Sequence, residues 1–242
     1  MVEIQQAGGV ARIFLNRPEK SNAVNTPLLL QLREKLEEMR SHADLRVVVL
    51  AGRGKAFCGG ADVTELATLD ATNGGAFVER IHRVCAALRA LPVPVVAKLH
   101  GAVIGAGLEI AAACDLRVAA PGTKFAMPEV RLGIPSVVEA ALLPRLMGAG
   151  RAAWLVLTGD FIDAARARDW GLVEEVGGDE AVEKLVESLL AGDREALRQQ
   201  KALCQLWDEA PLQESVARSV EAFGRAFRGG NTISSRLKGK RN

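Results

Sequence analysis

The chain has little of what marks several functional classes. Its four cysteines, Cys58, Cys85, Cys114 and Cys204, form no Cys-x-x-Cys pair. That spacing argues against a disulfide framework or a zinc ribbon and predicts reduced thiols in a cytoplasmic protein. Three histidines, His42, His82 and His100, lack HExxH or related ligand spacing, so no metal is expected. Charge of one sign is missing too: 31 basic against 29 acidic side chains leave a net charge of +2, with no overall field to attract nucleic acid or a membrane surface. The longest apolar runs, such as VVVLAG and EIAAACDLRVAA, are too short or too interrupted by charge to cross a bilayer. The opening residues MVEIQQAGGVARIFLNRP lack the basic start and apolar run of a secretory signal, so the mature protein is expected to begin here. No repeat of fixed period is visible.

What is present suits one globular core. With 242 residues, 49% hydrophobic and 25% charged, the chain sits near the upper size of a single domain. Val2 to Gln5 and Val10 to Leu15 flank Gly8-Gly9 as a hairpin. Thr26 is placed to cap an amphipathic helix, PLLLQLREKLEEMR, with Leu28, Leu29, Leu32, Leu36 and Met39 on one face. LRVVVLA reads as a buried strand, and a helix follows from about Gly75 to Leu91, its stripe of Phe77, Ile81, Val84, Cys85 and Leu88 assigned to the core. Pro92 and Pro94 stop that helix before VVAKLHGAVIGAG, a strand that breaks at glycines. Two short strands, LRVAA and KFAMPE, come next. Amphipathic segments lie around Ala164 to Trp170, Glu180 to Leu190 and Asp193 to Glu209. Short β segments alternating with helices predict an α/β layered core with a helical C-terminal portion.

Two glycine-rich turns stand at strand-to-helix junctions. In GKAFCGGADV, Gly59, Gly60 and Ala61 precede Asp62, a helix cap, so backbone N–H groups there suit a carbonyl oxygen gaining negative charge. An ordinary tight turn would have the same composition. HGAVIGAGLEIAAACD repeats the arrangement, with Gly105, Ala106 and Gly107 opening an apolar helix and Glu109 in its first turn. Burial there raises a carboxyl pKa, although a carboxylate at a helix N-terminus also has a purely structural use. Glu129 follows Pro128, 20 positions later, just past a short strand.

FLNRPEKSNAV, GRGKAFCGGADVTEL, HGAVIGAGLEIAAACDLRVAA and FAMPEVRLGIP together resemble, in order and spacing, the enoyl-CoA hydratase/isomerase (crotonase) superfamily, over about residues 2–190. The resemblance implies the ClpP/crotonase fold, with repeated ββα units in a layered core. It implies a core with an acyl-CoA site over residues 1–190, and over residues 191–242 a helical oligomerisation region with a basic tail. Backbone N–H groups of Ala61 and Ala106 would form the oxyanion hole, the second at a place where the family commonly has glycine. Glu109 and Glu129 would be the catalytic pair. Lys20, Asn22, Ala23, Gly59, Asp62 and Val63 would line the CoA and substrate site. The implied reaction is addition of water to a trans-2-enoyl-CoA, with double-bond isomerisation or a specialised acyl-CoA lyase or hydrolase activity of the same superfamily as alternatives, coenzyme A belonging to the substrate and no cofactor besides. The implied assembly is a homotrimer or hexamer, with no nucleic-acid or membrane partner.

Two segments depart from the family pattern. After Glu129 the family's Gly-rich turn, resembling GxxPGxGGxxRL, is replaced by the bulkier GIPSVVEAALLPRL, two residues longer, which implies a different acyl pocket. There Glu139 is a further candidate, read first as a solvated residue on the helix VVEAALLPRLM and otherwise as a residue facing a polar acyl substrate, and His82 is expected as an ordinary helical residue. The C-terminal RAFRGGNTISSRLKGKRN lacks the family's usual ending; its Phe223 and Phe227 could pack while Lys238, Lys240 and Arg241 meet phosphates, although a solvated tail suits the sequence better.

Overall fold

A computed structural model describes residues 1–227. Its strands are β1 (Val2–Ala7), β2 (Val10–Leu15), β3 (Val47–Gly52), β4 (Val95–Leu99), β5 (Ala102–Ile104), β6 (Leu116–Ala119), β7 (Lys124–Ala126), β8 (Ile162–Asp163) and β9 (Glu175–Val176). Its α-helices are α1 (Thr26–Met39), α2 (Val63–Leu66), α3 (Gly74–Arg89), α4 (Ala106–Ala112), α5 (Leu143–Met147), α6 (Ala149–Thr158), α7 (Ala164–Trp170), α8 (Asp179–Ala191), α9 (Arg194–Glu209) and α10 (Leu212–Arg225). The chain divides into two compact units, the first Met1–Ala191 and the second beginning at Gly192.

In the first unit the main sheet runs β1-β2-β3-β4-β6-β9. The β1–β2 hairpin is antiparallel, and every other pairing in this sheet is parallel. The run VVVL in β3 is buried throughout because a parallel sheet is covered on both faces. Alternation then sorts the residues. Val48 and Leu50 join the large core with Leu28, Leu32 and Leu36 of α1 and Val84 and Leu88 of α3, while Val47 and Val49 meet Val182 and Val186 of α8. Truncating Leu32, which is fully buried, to Ala removes about 2–5 kcal/mol.

Thr26 is not the cap of α1. Thr26 begins the helix, with Pro27 next, and the Asn25 side chain accepts from Leu28 N at 3.0 Å, while Thr26 Oγ1 is bonded to Glu65. Asn25, in extended backbone just before the first helical residue, is the position from which a side-chain oxygen reaches the orphan N–H groups, whereas Thr26 is already inside the helix.

The chain leaves the main sheet twice, and this places the site. After β4 it turns at Gly101 into β5, and after β6 it turns at Pro121-Gly122 into β7; β5, β7 and β8 form a second, three-stranded sheet. From β5 the backbone passes directly into α4, and from β7 it reaches Glu129. Parallel pairing of β5 with β7, Ile104 opposite Ala126, brings those two exits side by side.

In the second unit α9 and α10 pack as a helical pair, with Trp207 Nε1 donating to Ser219 Oγ at 3.0 Å. Leu212, Val216, Val220 and Phe223 of α10 are exposed, and Phe223 meets Phe227 edge to face at 5.2 Å. Lys238, Lys240 and Arg241 lie outside the described residues.

Candidate active site

The loop after β3 is stitched onto β5. Phe57 N donates to His100 O at 2.8 Å, Cys58 N to Ala102 O at 3.0 Å, and Ile104 N returns to Cys58 O at 3.0 Å. The two glycine turns thereby abut. A Cβ on Gly107 would sit 2.6 Å from Cys58 O, so only glycine permits this approach.

Beyond Cys58, Gly60 O accepts from Val24 N and Asp62 N donates to Val24 O, both at 2.8 Å. Those bonds use the groups either side of Ala61 and leave the Ala61 N–H with no acceptor among the described residues. At the second turn Gly105, with φ of +49°, is the N-cap of α4, and its carbonyl accepts from Leu108 N and Glu109 N. Ala106 opens the helix, and its N–H likewise has no acceptor among the described residues. Two donors of the kind that stabilise a developing oxyanion thus occupy adjoining turns.

Carboxyl groups surround the second turn. Glu109 is only 5% exposed, among Leu108, Ile110 and Ala111. Burial, then Glu129, then Glu139 push its carboxyl up to about 8, and the Ala140 N–H offsets part of this. Glu129 is half-buried at the start of a 3-10 turn, Glu129–Leu132. Its Oε1 lies where a Cβ on Gly105 would come within 2.3 Å, and its Oε2 accepts from Ser136 Oγ at 2.8 Å. Glycine at 105 is favoured by its backbone angle, and a side chain there would displace the Glu129 carboxylate from its place over the turn.

Glu139 corrects an expectation. It is not solvated: the segment begins as a 3-10 turn, Val138–Leu142, before α5, and Glu139 is 7% exposed. Val138 just before it takes φ of +40°, a conformation that a β-branched side chain rarely adopts. His82 is not a bystander either, since its Nδ1 lies 2.8 Å from Glu139 Oε1. The sequence offered Glu139 as a candidate but not its pairing with His82, because helical spacing favoured an outer face for the glutamate.

The residues expected to line the CoA site divide. Lys20 and Val63 are exposed, and Ala23 and Gly59 are partly exposed. Asn22 is fully buried; its amide nitrogen donates to Arg53 O and Ala56 O at 2.8 and 2.7 Å, and its oxygen accepts from Arg17 N at 2.8 Å. Its side chain is a clamp for the loop, with both amide protons committed and no exposed surface to offer a ligand. Asp62 is similarly committed: it caps α2 through Thr64 N and pairs with Arg17 Nη2 at 2.7 Å, which holds its carboxyl below the usual range. Arg17 was not singled out from the sequence, although its place in the NRP segment before Asn22 was visible. Among the described residues no three His, Cys, Asp or Glu side chains are grouped to hold a metal ion, and no helix is long and apolar enough to cross a membrane.

Unused backbone donors on adjoining turns, with carboxyl groups beside them, define a site for chemistry at an activated carbonyl. The model of the enoyl-CoA hydratase/isomerase family matches residues 5–230. The chain is 32% identical to a crotonyl-CoA hydratase of Syntrophomonas wolfei, over 90% of this chain and 86% of that one. It is 31% identical to a short-chain-enoyl-CoA hydratase of Clostridium acetobutylicum, over 93% and 89%. Its fold matches the crystal structure of an enoyl-CoA hydratase from Mycobacterium smegmatis with a TM-score of 0.93, 29% identity and coverage of 98% and 96%. The chain belongs to the enoyl-CoA hydratase/isomerase family and has the crotonase fold.

Proposed function

We propose that the protein is an enoyl-CoA hydratase that adds water across the C2=C3 bond of a trans-2-enoyl-CoA to give the 3-hydroxyacyl-CoA. The observation that carries this reading is that Glu109 and Glu129 both stand at the Gly105 turn, one inside α4 and one over the glycine. The N–H groups of Ala61 and Ala106 bind the thioester oxygen and stabilise the enolate. Glu109 takes a proton from the water that attacks C3, and Glu129 delivers a proton to C2; dehydration uses the same groups in reverse. The two carboxyl groups act as a coupled pair holding one proton, which burial favours on Glu109 in the substrate-free protein and which passes to Glu129 before Glu109 accepts the proton of water. Above pH about 8 that proton is lost, so activity in either direction falls there. Lys20, Ala23, Gly59 and Val63 supply the exposed wall for the CoA moiety. The four cysteines, none of them in a disulfide, accord with a reducing compartment such as the cytoplasm.

Double-bond isomerisation is the second reading, favoured by one observation: a Glu109 carboxyl pushed up to about 8 keeps its proton at neutral pH, and moving a proton between C2 and C4 needs only one carboxylate, the part Glu129 would play. Product analysis after incubation with crotonyl-CoA and a longer trans-2-enoyl-CoA separates the two. The expected outcome is 3-hydroxyacyl-CoA, with kcat lowered about 10²- to 10⁴-fold in Glu109→Gln and in Glu129→Gln. Migration of the double bond in a 3-enoyl-CoA without any hydroxyacyl product would sink the hydratase reading.

A further inference from the structure

The Val138–Leu142 turn packs against both α3 and α4 and brings a third acidic side chain to the site. Glu139 has two unlike oxygens. Oε1 is bonded to His82 on α3, whose side chain is 48% exposed; Oε2 is buried with no hydrogen-bond partner among the described residues, and the Cys85 thiol lies beside the carboxyl group. A carboxyl group is costly to bury in that setting, because one of its oxygens is so weakly partnered. The backbone that carries it is costly as well, with Val138 in the left-handed region immediately before it. Two unfavourable features at adjacent residues of the site call for a functional return.

We propose that Glu139, anchored by His82, is a positioning residue that governs the proton held by the Glu109–Glu129 pair. This rests on the reading above, in which that pair exchanges the proton with water. The groups facing Glu109 are few. Glu129 comes from the turn after β7, Glu139 and the Ala140 N–H from the Val138–Leu142 turn, and Cys85 from α3, while Cys58 packs on Gly107. Both thiols are pushed up by burial, Cys58 to about 11, and stay neutral at working pH. The Ala140 N–H favours the charged form of Glu109. Glu129 and Glu139 are thus the facing groups whose negative charge opposes ionisation of Glu109, and Glu129 belongs to the pair itself. Glu139 lies outside the pair and can set its proton affinity without taking part in the reaction. The 2.8 Å contact with His82 Nδ1 ties one oxygen to α3 and fixes where the Glu139 carboxyl group stands.

The test is the titration of Glu109 in the substrate-free protein, followed by carbon-13 NMR of its carboxyl and assigned by difference from Glu109→Gln. Glu139→Gln removes the charge and keeps the shape. Glu139→Met removes it without burying an amide, so failure of one variant to fold still leaves a reading. In either folded variant the titration of Glu109 should move to lower pH by about half to one pH unit, a three- to tenfold loss of proton affinity. The alkaline limb of kcat/KM should move with it, a change that loss of packing alone would not produce. Folded variants in which Glu109 titrates as in the wild type would overturn the proposal. Because the titration uses no substrate, an assay showing no hydroxyacyl product would defeat the hydratase reading and leave this result standing.

Discussion

Glu109 and Glu129 present the same functional group to the same turn by different means. Glu109 stands on a regular helix whose neighbours are apolar, so its position comes from backbone bonds to Gly105 and its proton affinity from burial. Glu129 stands on a single 3-10 turn and is held by one side-chain bond, from Ser136, over a glycine that leaves it room. A carboxyl group carried by the core is fixed whatever the loops do, whereas one carried by a turn depends on a few local contacts. Chemistry common to a family is safest on the first kind of support, and adjustment to a particular acyl group is easiest on the second.

This contrast can be broken or sharpened. The largest effect is expected at the turn itself, where Gly105→Ala would drive a methyl into Glu129 Oε1 and strain the cap of α4; kcat should fall on the order of 100-fold, with the melting temperature reporting any wider damage. A retained kcat would show that Glu129 has room to move. The next effect is on stability. Glu109 has a folded-state value of about 8 against an ordinary carboxyl value of 4.5, so between those values the unfolded chain releases a proton that the folded protein keeps. Stability should therefore be full below about pH 4.5, fall as pH rises towards 8 and then level off. Glu109→Gln should remove this dependence and leave the variant more stable at pH 8 by a few kcal/mol, since each tenfold difference in proton affinity between the folded and unfolded chain is worth about 1.4 kcal/mol. Urea denaturation at pH 5 and pH 8 measures it, and parallel curves for the two proteins would show that Glu109 is not held neutral by the core. The smallest effect is expected for Ser136→Ala, which removes one bond from Glu129 and should lower kcat about 2- to 10-fold without shifting the melting temperature. No change would mean that the turn backbone alone orients Glu129.

The same division explains what was legible in the sequence. The hairpin about Gly8-Gly9, the buried run in β3, the stripes of α1 and α3 and the helices from Ala164 to Glu209 carry strong periods, and they form nearly where those periods predict. The two glycine turns were visible because close approach between Gly107 and Cys58 demands a residue without a side chain. The inward place of Glu139 was hidden because VVEAALLPRLM has a helical period from its first residue, yet the backbone starts as a 3-10 turn with Val138 at positive φ, and this turns the glutamate inward. Its partner His82 is 57 positions away, beyond any local pattern. Asn22 misled in the opposite sense: a polar residue in a motif suggests a ligand contact, but its side chain is fully buried and bonded to three main-chain partners. The strands Ile162–Asp163 and Glu175–Val176 are two residues each, too short to show a period, and exist only through pairing with β7 and β6.

The distribution of thiols has a practical consequence. Cys58, Cys85 and Cys114 are sealed in the core of the first unit, while Cys204 on α9 is exposed. A thiol-directed fluorophore or spin label should attach at one place, far along the chain from either glycine turn, so the wild-type protein comes supplied with a single handle for spectroscopy on its second unit.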